Sequence, residues 1–326
     1  MAARAQANNP DGLPSWARAY SVCAMATENT VTFYLNPKMR RQAERGNQNF
    51  IHQVSSVLTA AGFETAYDTN DELGRLQALS RPGRSLFLMD DPVNARGLTL
   101  RKTYVGPFWH IEKQSERWKW PVALAQFDAT KVNAAKAAAF YRRWNSKLFW
   151  GTPKREGFVF IPLQGRLTTR RSFQFCSPID MIKATLRHEP KRKIIATLHP
   201  NETYSKPEID ALAALTETHD RLSVQAGEAD ALLRDCDYIV TQNSSLGFQG
   251  YFLKKPLIIF GKIDFHHIAL DVHKIGVGAA FAARLNHSPD YAAYLYWFLQ
   301  KQAINAGRPE TQAIIRDALR GHDWPV

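Results

Sequence analysis

From Glu156 onward the chain alternates short apolar runs with stretches of helical pattern, a rhythm that signals parallel βαβ units. The first run is residues 158–163. Ser177-Pro178-Ile179-Asp180 then reads as a helix start, with Ser177 at the N-cap and proline in the first turn, feeding a helix to about Arg187. A second strand is expected at 193–198. Ser205 and Glu208 stand at capping-box spacing and open the next helix. A short strand at 222–224, a brief helix at 228–234, a strand at 238–241, a helix at 246–253 and a last strand at 256–260, closed by Gly261, complete the pattern. Five strands with four helical crossovers predict a Rossmann-like domain.

The first half is less regular. Residues 30–35 read as a strand, 49–61 as an amphipathic helix ended by Gly62, and 63–67 and 85–89 as further strands. This predicts a second, more irregular α/β domain. Residues 134–149 have helical periodicity, and the Gly- and Pro-punctuated stretch 151–157 reads as a linker. The expected cut falls near residue 151, with domains at 1–150 and 151–326. The stretch 289–320 is expected to be helical, with Tyr291, Tyr294, Leu295, Phe298 and Leu299 recurring on one core-facing side.

Composition excludes several classes. The longest apolar runs, such as 256–260, fall far short of the ~20 residues needed to cross a bilayer. The first ten residues lack the apolar core of a secretory signal, so the chain is expected in the cytoplasm with a loose N-terminal tail. Cys23, Cys176 and Cys236 stand far apart without C-x-x-C spacing or a paired histidine pattern, which argues against a metal site or a disulfide framework. The 42 Lys and Arg against 30 Asp and Glu give a formal +12, a field that attracts phosphates. Clusters at 38–45, 166–171 and 188–193 carry much of it, each equally readable as a solvated face. Trp109, Trp118, Trp120, Trp144 and Trp150 lie near basic residues, but no RNP, KH, zinc-finger or helix-turn-helix signature accompanies them, so no nucleic-acid partner is expected.

Two polar clusters sit where buried parallel strands should emerge: Thr197-Leu198-His199-Pro200 and Thr241-Gln242-Asn243-Ser244-Ser245-Leu246-Gly247-Phe248. In open α/β sheets ligands bind at the carboxyl ends of strands. Pro200 cannot continue a sheet and holds His199 extended at its strand tip. Ser244 and Ser245, at a strand-to-helix turn, offer hydroxyls for a phosphate, or equally a plain helix cap. The 45 residues between His199 and Ser244 leave room for a helix, a strand and another short helix, so two strand tips can face one crevice.

These residues resemble the bacterial capsule polysaccharide synthesis and export proteins that are Kdo transferases of the two-domain GT-B fold. The resemblance covers roughly 158–270. It is carried by Asn243-Ser244-Ser245-Leu246-Gly247-Phe248, by Lys255-Pro256-Leu257-Ile258-Ile259-Phe260-Gly261 with Phe265, by Leu198-His199-Pro200, and by Pro162-Leu163-Gln164. It implies an α/β, GT-B-like fold of two Rossmann-like domains facing a central cleft, with C-terminal helices: an acceptor-side domain at 1–150 and a nucleotide-sugar-binding domain at 151–326. His199 would contact the cytidine nucleotide, Ser244 and Ser245 the donor phosphate, and Gln164, Asn243 and Gly247 would complete the donor site. The sequence departs from the family pattern at Gly165-Arg166-Leu167, where an acidic residue usually follows the glutamine, and at Gln249-Gly250-Tyr251.

Sugar transfer from a nucleotide leaves an anionic phosphate, and positioned donors stabilise that developing charge by roughly 3 kcal/mol each. No D-x-D sits at a strand end of this half, so neither a metal nor a cofactor is expected. A group must also take the acceptor's proton. Asp90 and Asp91, directly after the strand at 85–89, are the first candidates as general base or nucleophile, and they loosely resemble the acidic pair of bacterial sialyltransferases, with Pro92 where those have glycine. A turn-forming Asp-Asp-Pro is the plainer reading. His110 and Glu112, in an aromatic-rich segment, are the second choice. His266 and His267 are expected to close over the donor, with at most one of the two mattering there.

The leading expectation is thus a glycosyltransferase moving a sugar, Kdo from CMP-Kdo being the donor that the resemblance implies, onto a surface polysaccharide or lipid acceptor, with peripheral association at an anionic membrane. Two alternatives stand beside it. One is a polyol-phosphate or sugar-phosphate transferase using a cytidine diphosphate donor, distinguished by a phosphodiester product. The other is a non-catalytic protein binding nucleic acid or a lipid surface, distinguished by salt-sensitive binding that ignores nucleotides.

Overall fold

The computed structural model describes residues 27–47 and 49–326; Cys23 and the expected N-terminal tail lie outside the described residues. The chain forms two compact units. One holds the residues up to Lys102 with Trp109–Ser115 and Ala306–Val326; the other holds Thr103–Phe108 and Glu116–Asn305. This division departs from the single cut expected near residue 151. Helix 134–148 packs inside the second unit, where Tyr141 Oη and Asn145 Nδ2 each donate to the Phe252 carbonyl at 2.5 Å.

In the first unit, strands β1 (Thr30–Leu35), β2 (Glu64–Thr69), β3 (Arg84–Leu88), β4 (Gly97–Lys102) and β5 (Phe108–Glu112) lie in the order β5-β4-β3-β1-β2. All are parallel except β5, which runs against β4. Every residue of β1 is buried, as a central strand covered on both faces requires. Helix α1 (Pro37–Glu44) starts where Asn36 Oδ1 accepts the Met39 N–H at 2.9 Å and Pro37 fills the first turn.

The second unit carries a wholly parallel sheet of β6 (Phe158–Pro162), β7 (Lys193–Thr197), β8 (Leu222–Gln225), β9 (Tyr238–Thr241), β10 (Leu257–Ile259) and β11 (Leu270–Asp271), in the order β11-β10-β9-β6-β7-β8. Five of these strands are those expected; the two-residue β11 is too short to leave a pattern. Alternation along β6 explains how one strand serves two cores. Phe158 and Phe160 enter an aromatic core with Phe248, Tyr251 and Phe298, while Val159 and Ile161 enter an aliphatic one with Ile182 and Leu186. Both faces are covered, as in a doubly wound sheet.

The expected caps hold. Ser177 accepts the Asp180 N–H at 3.1 Å to start α2 (Pro178–His188), and Ser205 and Glu208 form a capping box at the start of α3 (Lys206–Thr218). The expected continuous helix at 289–320 is interrupted. Helix α5 (Tyr291–Tyr296) runs into a π-helical turn at Trp297–Lys301, and α6 (Thr311–Arg320) begins only after Gly307 and Pro309, a pair that cannot sustain a helix. The five stripe residues of 291–299 are all buried. Between α3 and α5 the site described next uses one more short helix, α4 (Ser245–Gly250).

Candidate functional site

In the second unit the chain leaves β6 toward β7 and β8, then returns to β9 on the other flank, so the strand order reverses between β6 and β9. In open α/β sheets, ligands bind at the carboxyl ends of the strands beside such a reversal. The ends are level there. Pro162 pairs with Thr197 and Thr241 with Ile259, and Thr241 Oγ1 donates to the Pro162 carbonyl at 3.2 Å. Gln164, His199 and Asn243 to Ser245 therefore leave one edge of one sheet. With neighbouring strands about 4.8 Å apart, the tips of β7 and β9 stand about 10 Å apart, spanned by β6.

Two side chains at this edge are prepared as hydrogen-bond donors. His199 is exposed, its backbone N–H donates to the Tyr204 hydroxyl at 2.8 Å, and its Nδ1 accepts the Asn201 N–H at 3.2 Å. With Nδ1 occupied as acceptor, the neutral ring keeps its proton on Nε2. Ser244, buried at the N-cap of α4, accepts the Leu246 N–H on Oγ at 3.3 Å, which leaves its own hydroxyl proton to give. Ser245 is exposed in the first turn. Gly247 packs closely: a Cβ there would lie 3.1 Å from both methyls of Leu257. Lys255, from the same motif region, is also structural, its buried ammonium donating to the carbonyls of Lys154 and Cys236.

Around these donors, several buried polar atoms have no hydrogen-bond partner among the described residues: Gln164 Oε1, Asn243 Oδ1, Gln242 Oε1, Gln174 Nε2, and Nε and Nη2 of Arg171. A buried polar group left unpaired costs about 1 to 3 kcal/mol, so folded proteins keep few of them. Here they share the two loops that flank the strand reversal. Glu202, from the turn after His199, lies over Gly165, where a Cβ would meet its Oε2 at 2.2 Å. Burial lowers the Arg171 pKa, an effect that the Glu202 carboxylate opposes and Arg166 reinforces. Arg171 sits in a basic cluster visible in the sequence, and Gln242 inside the second polar cluster. Gln174 and Glu202 carried no signal, because only the folded loops bring them in.

In the first unit, Asp90 and Asp91 follow β3 at the matching position. The strand order reverses there between β1 and β3, and Met89, with φ 60°, turns the chain at the tip. Both carboxylates are exposed. Asp91 is held by Ser115, whose N–H and hydroxyl each donate at 2.6 Å, while Asp90 accepts from Asn70 at 3.1 Å with Arg75 at 3.7 Å. His110 and Glu112 lie on the buried face of β5, 4% and 8% exposed, with Nδ1 to Oε1 at 3.6 Å and His322 at 3.9 Å from Glu112. They form an internal cluster of this unit.

His266 and His267 stack on each other at 4.3 Å and bond the carbonyls of Ala123 and Ala125 at 3.0 and 3.1 Å. Burial, with the neighbouring His266 adding to it, pushes His267 down to about 4. Both rings are thus engaged in fastening a loop. Trp109 stacks on Phe50 at 4.4 Å and Trp120 is 1% exposed, so these two indoles belong to cores. Cys176 and Cys236 are free thiols, pushed up by burial to about 11 and about 12. Among the described residues no three His, Cys, Asp or Glu side chains gather in a way that could hold a metal ion, and no helix is long and apolar enough to cross a membrane.

Residues 153–305 match the family described as capsule polysaccharide biosynthesis protein, which bears out the resemblance carried by the His199 and Ser244 motifs. No curated protein matches the chain. Among solved structures, the Thermosulfurimonas dismutans KpsC beta Kdo 2,7 transferase is similar at 12% identity and a TM-score of 0.49, over 88% of this chain and 99% of that one. The beta Kdo 2,4 transferase of the same organism is similar at 14% and 0.44, over 81% and 88%. An S. aureus MnaA–UDP structure is similar at 10% and 0.37, over 83% and 96%.

Proposed function

We propose that the protein transfers a sugar from a nucleotide donor to a glycan or glycolipid acceptor in capsule-type polysaccharide synthesis, with Kdo carried on cytidine monophosphate as the first donor to test. The family match over 153–305 supports the biosynthetic setting. One observation carries the reading: at the strand reversal His199 and Ser244 each have an acceptor site filled by a backbone N–H, which leaves each a proton to donate. A departing nucleotide phosphate gathers negative charge on oxygen. Two fixed donors stabilise that charge without reorganising as it develops. The unpaired oxygens of Gln164 and Asn243 are acceptors suited to ribose hydroxyls or a base amino group. Asp90 is assigned the acceptor proton in preference to Asp91, because Ser115 already engages both oxygens of Asp91. The net charge of +12 favours anionic donors and an acceptor at an anionic membrane.

Calorimetric titration with a panel of nucleotides tests the donor half. The wild type should bind a cytidine nucleotide, and His199→Ala should weaken it about tenfold or more, the size of one hydrogen bond to a charged group. A wild type that binds no nucleotide, or a variant that binds equally well, ends the assignment. For the chemistry, Asp90→Ala should lower transfer by roughly 10²- to 10⁴-fold while nucleotide affinity stays unchanged. A glycoside as product supports sugar transfer; a phosphodiester refutes it.

A further inference from the structure

The loop between β6 and α2 crosses the carboxyl ends of β9 and β10 as a strap. The Phe175 N–H donates to the Phe260 carbonyl at 2.6 Å, the Lys262 N–H to the Phe173 carbonyl at 2.8 Å, and Gln174 bridges to Gly261. Gln242, from the tip of β9, holds the strap through the Cys176 carbonyl at 3.0 Å. At the start of this strap stands Arg171. Its backbone N–H is fixed on Gln174 Oε1 at 2.8 Å and its guanidinium lies 4.9 Å over the Phe173 ring, so backbone and side chain are each held once.

What the guanidinium lacks is a hydrogen-bond partner on one edge. Nε and Nη2 are both buried and have no hydrogen-bond partner among the described residues, and these two nitrogens form the side fork of the guanidinium plane. Two parallel N–H groups on that edge match the two oxygens of a carboxylate or a phosphate. Gln174 Nε2, on a fully buried side chain beside it, is a further unpaired donor. A cation kept partly buried without a bonded partner destabilises the empty fold, and such groups concentrate where a ligand supplies the missing partner.

We propose that Arg171 is a binding residue of the donor site that grips a two-oxygen anion of the donor, either the nucleotide phosphate or a carboxylate on the transferred sugar. The assignment rests on the donor site proposed above and adds a specificity element to it: donors without such an anion lose the fork.

The test uses the full chain and the variants Arg171→Met and Arg171→Lys, titrated with cytidine, cytidine monophosphate, CMP-N-acetylneuraminic acid and inorganic pyrophosphate. Lysine keeps the charge and loses the fork. Both variants should bind the cytidine monophosphate about tenfold or more weakly while cytidine affinity is unchanged. If cytidine monophosphate is unaffected and only the acidic-sugar nucleotide weakens, the grip is on the carboxylate. If every probe binds both variants as it binds the wild type, the proposal is overturned although the donor site stands. If the wild type binds no nucleotide but its pyrophosphate binding is lost in Arg171→Met, the fork stands and the sugar-transfer reading falls. Absence of binding to pyrophosphate and nucleotides alike overturns both. Thermal melting separates a structural role: Arg171→Met should melt no lower than the wild type without anion, and pyrophosphate should raise only the wild type's Tm. A lower Tm with undiminished anion binding would make Arg171 a packing residue and refute the fork.

Discussion

Two basic clusters of the second unit read alike in sequence and end up opposite in structure. In the stretch 188–193, Glu189 and Arg192 find their charge partners within the protein. Glu189, 1% exposed, accepts from Arg284 at 2.7 and 2.9 Å, from Arg192 at 3.3 Å and from the Tyr238 hydroxyl at 2.9 Å, and Arg192 also reaches Asp237 at 2.5 Å. In the stretch 166–171, Arg171 lies over Phe173 with its fork unbonded among the described residues. The first cluster fastens α2 to the sheet; the second keeps one guanidinium edge without a partner among the described residues. A run of basic residues therefore says little until the acceptors it meets are known, and a partner supplied from within marks a staple.

That contrast can be broken by experiment. The largest effect is expected from Glu189→Ala, which leaves Arg284 and Arg192 facing a gap in the interior. Unfolding in urea should show a loss of about 3 to 5 kcal/mol, with nucleotide affinity of the remaining folded protein unchanged. If nucleotide binding falls as well, the two clusters are not separate in role.

The next effect comes from acid. Burial alone would raise the Glu189 carboxyl, but the hydrogen bonds from Arg284 and Tyr238 outweigh it and hold the group down at about 2 against an ordinary 4.5. Because the folded value is the lower one, the stabilisation is complete above pH 4.5 and is lost as pH falls from there toward 2. The shift is worth about 3 kcal/mol. Urea midpoints across that window should fall steeply in the wild type and less steeply in Glu189→Gln; parallel curves would refute the linkage.

A smaller effect is expected at Gly261, where a Cβ would lie 2.8 Å from the Gln242 carbonyl, a backbone atom that cannot swing aside. Gly261→Ala should cost about 1 to 3 kcal/mol and displace the strap, weakening nucleotide binding. Gly165→Ala meets only the mobile end of Glu202 and should change stability by less than about 0.5 kcal/mol. Equal melting temperatures for the two variants would show that the strap is not seated as described.

The amino-acid sequence determined the elements whose causes are local. Alternating apolar residues, proline and serine at helix starts and glycine at helix ends placed β1, β6, β7, β9 and the caps at Ser177 and Ser205 within a residue or so of where they lie. It also brought His199 and Ser244 to strand tips, since a buried run ending in polar residues has to emerge there. Which polar groups remain unsatisfied was decided only by the tertiary structure. Nothing near Arg171 in sequence distinguishes it from Arg192. The order of strands and the path of the strap set Glu189 among arginines and left the Arg171 fork without an acceptor among the described residues. The same long-range placement packed Gly247 against Leu257, engaged both His266 and His267 with backbone carbonyls, buried Glu112, and moved the unit boundary away from residue 151. A hydrogen bond needs its partner within about 3 Å, and partners many residues apart meet only after the sheet has formed.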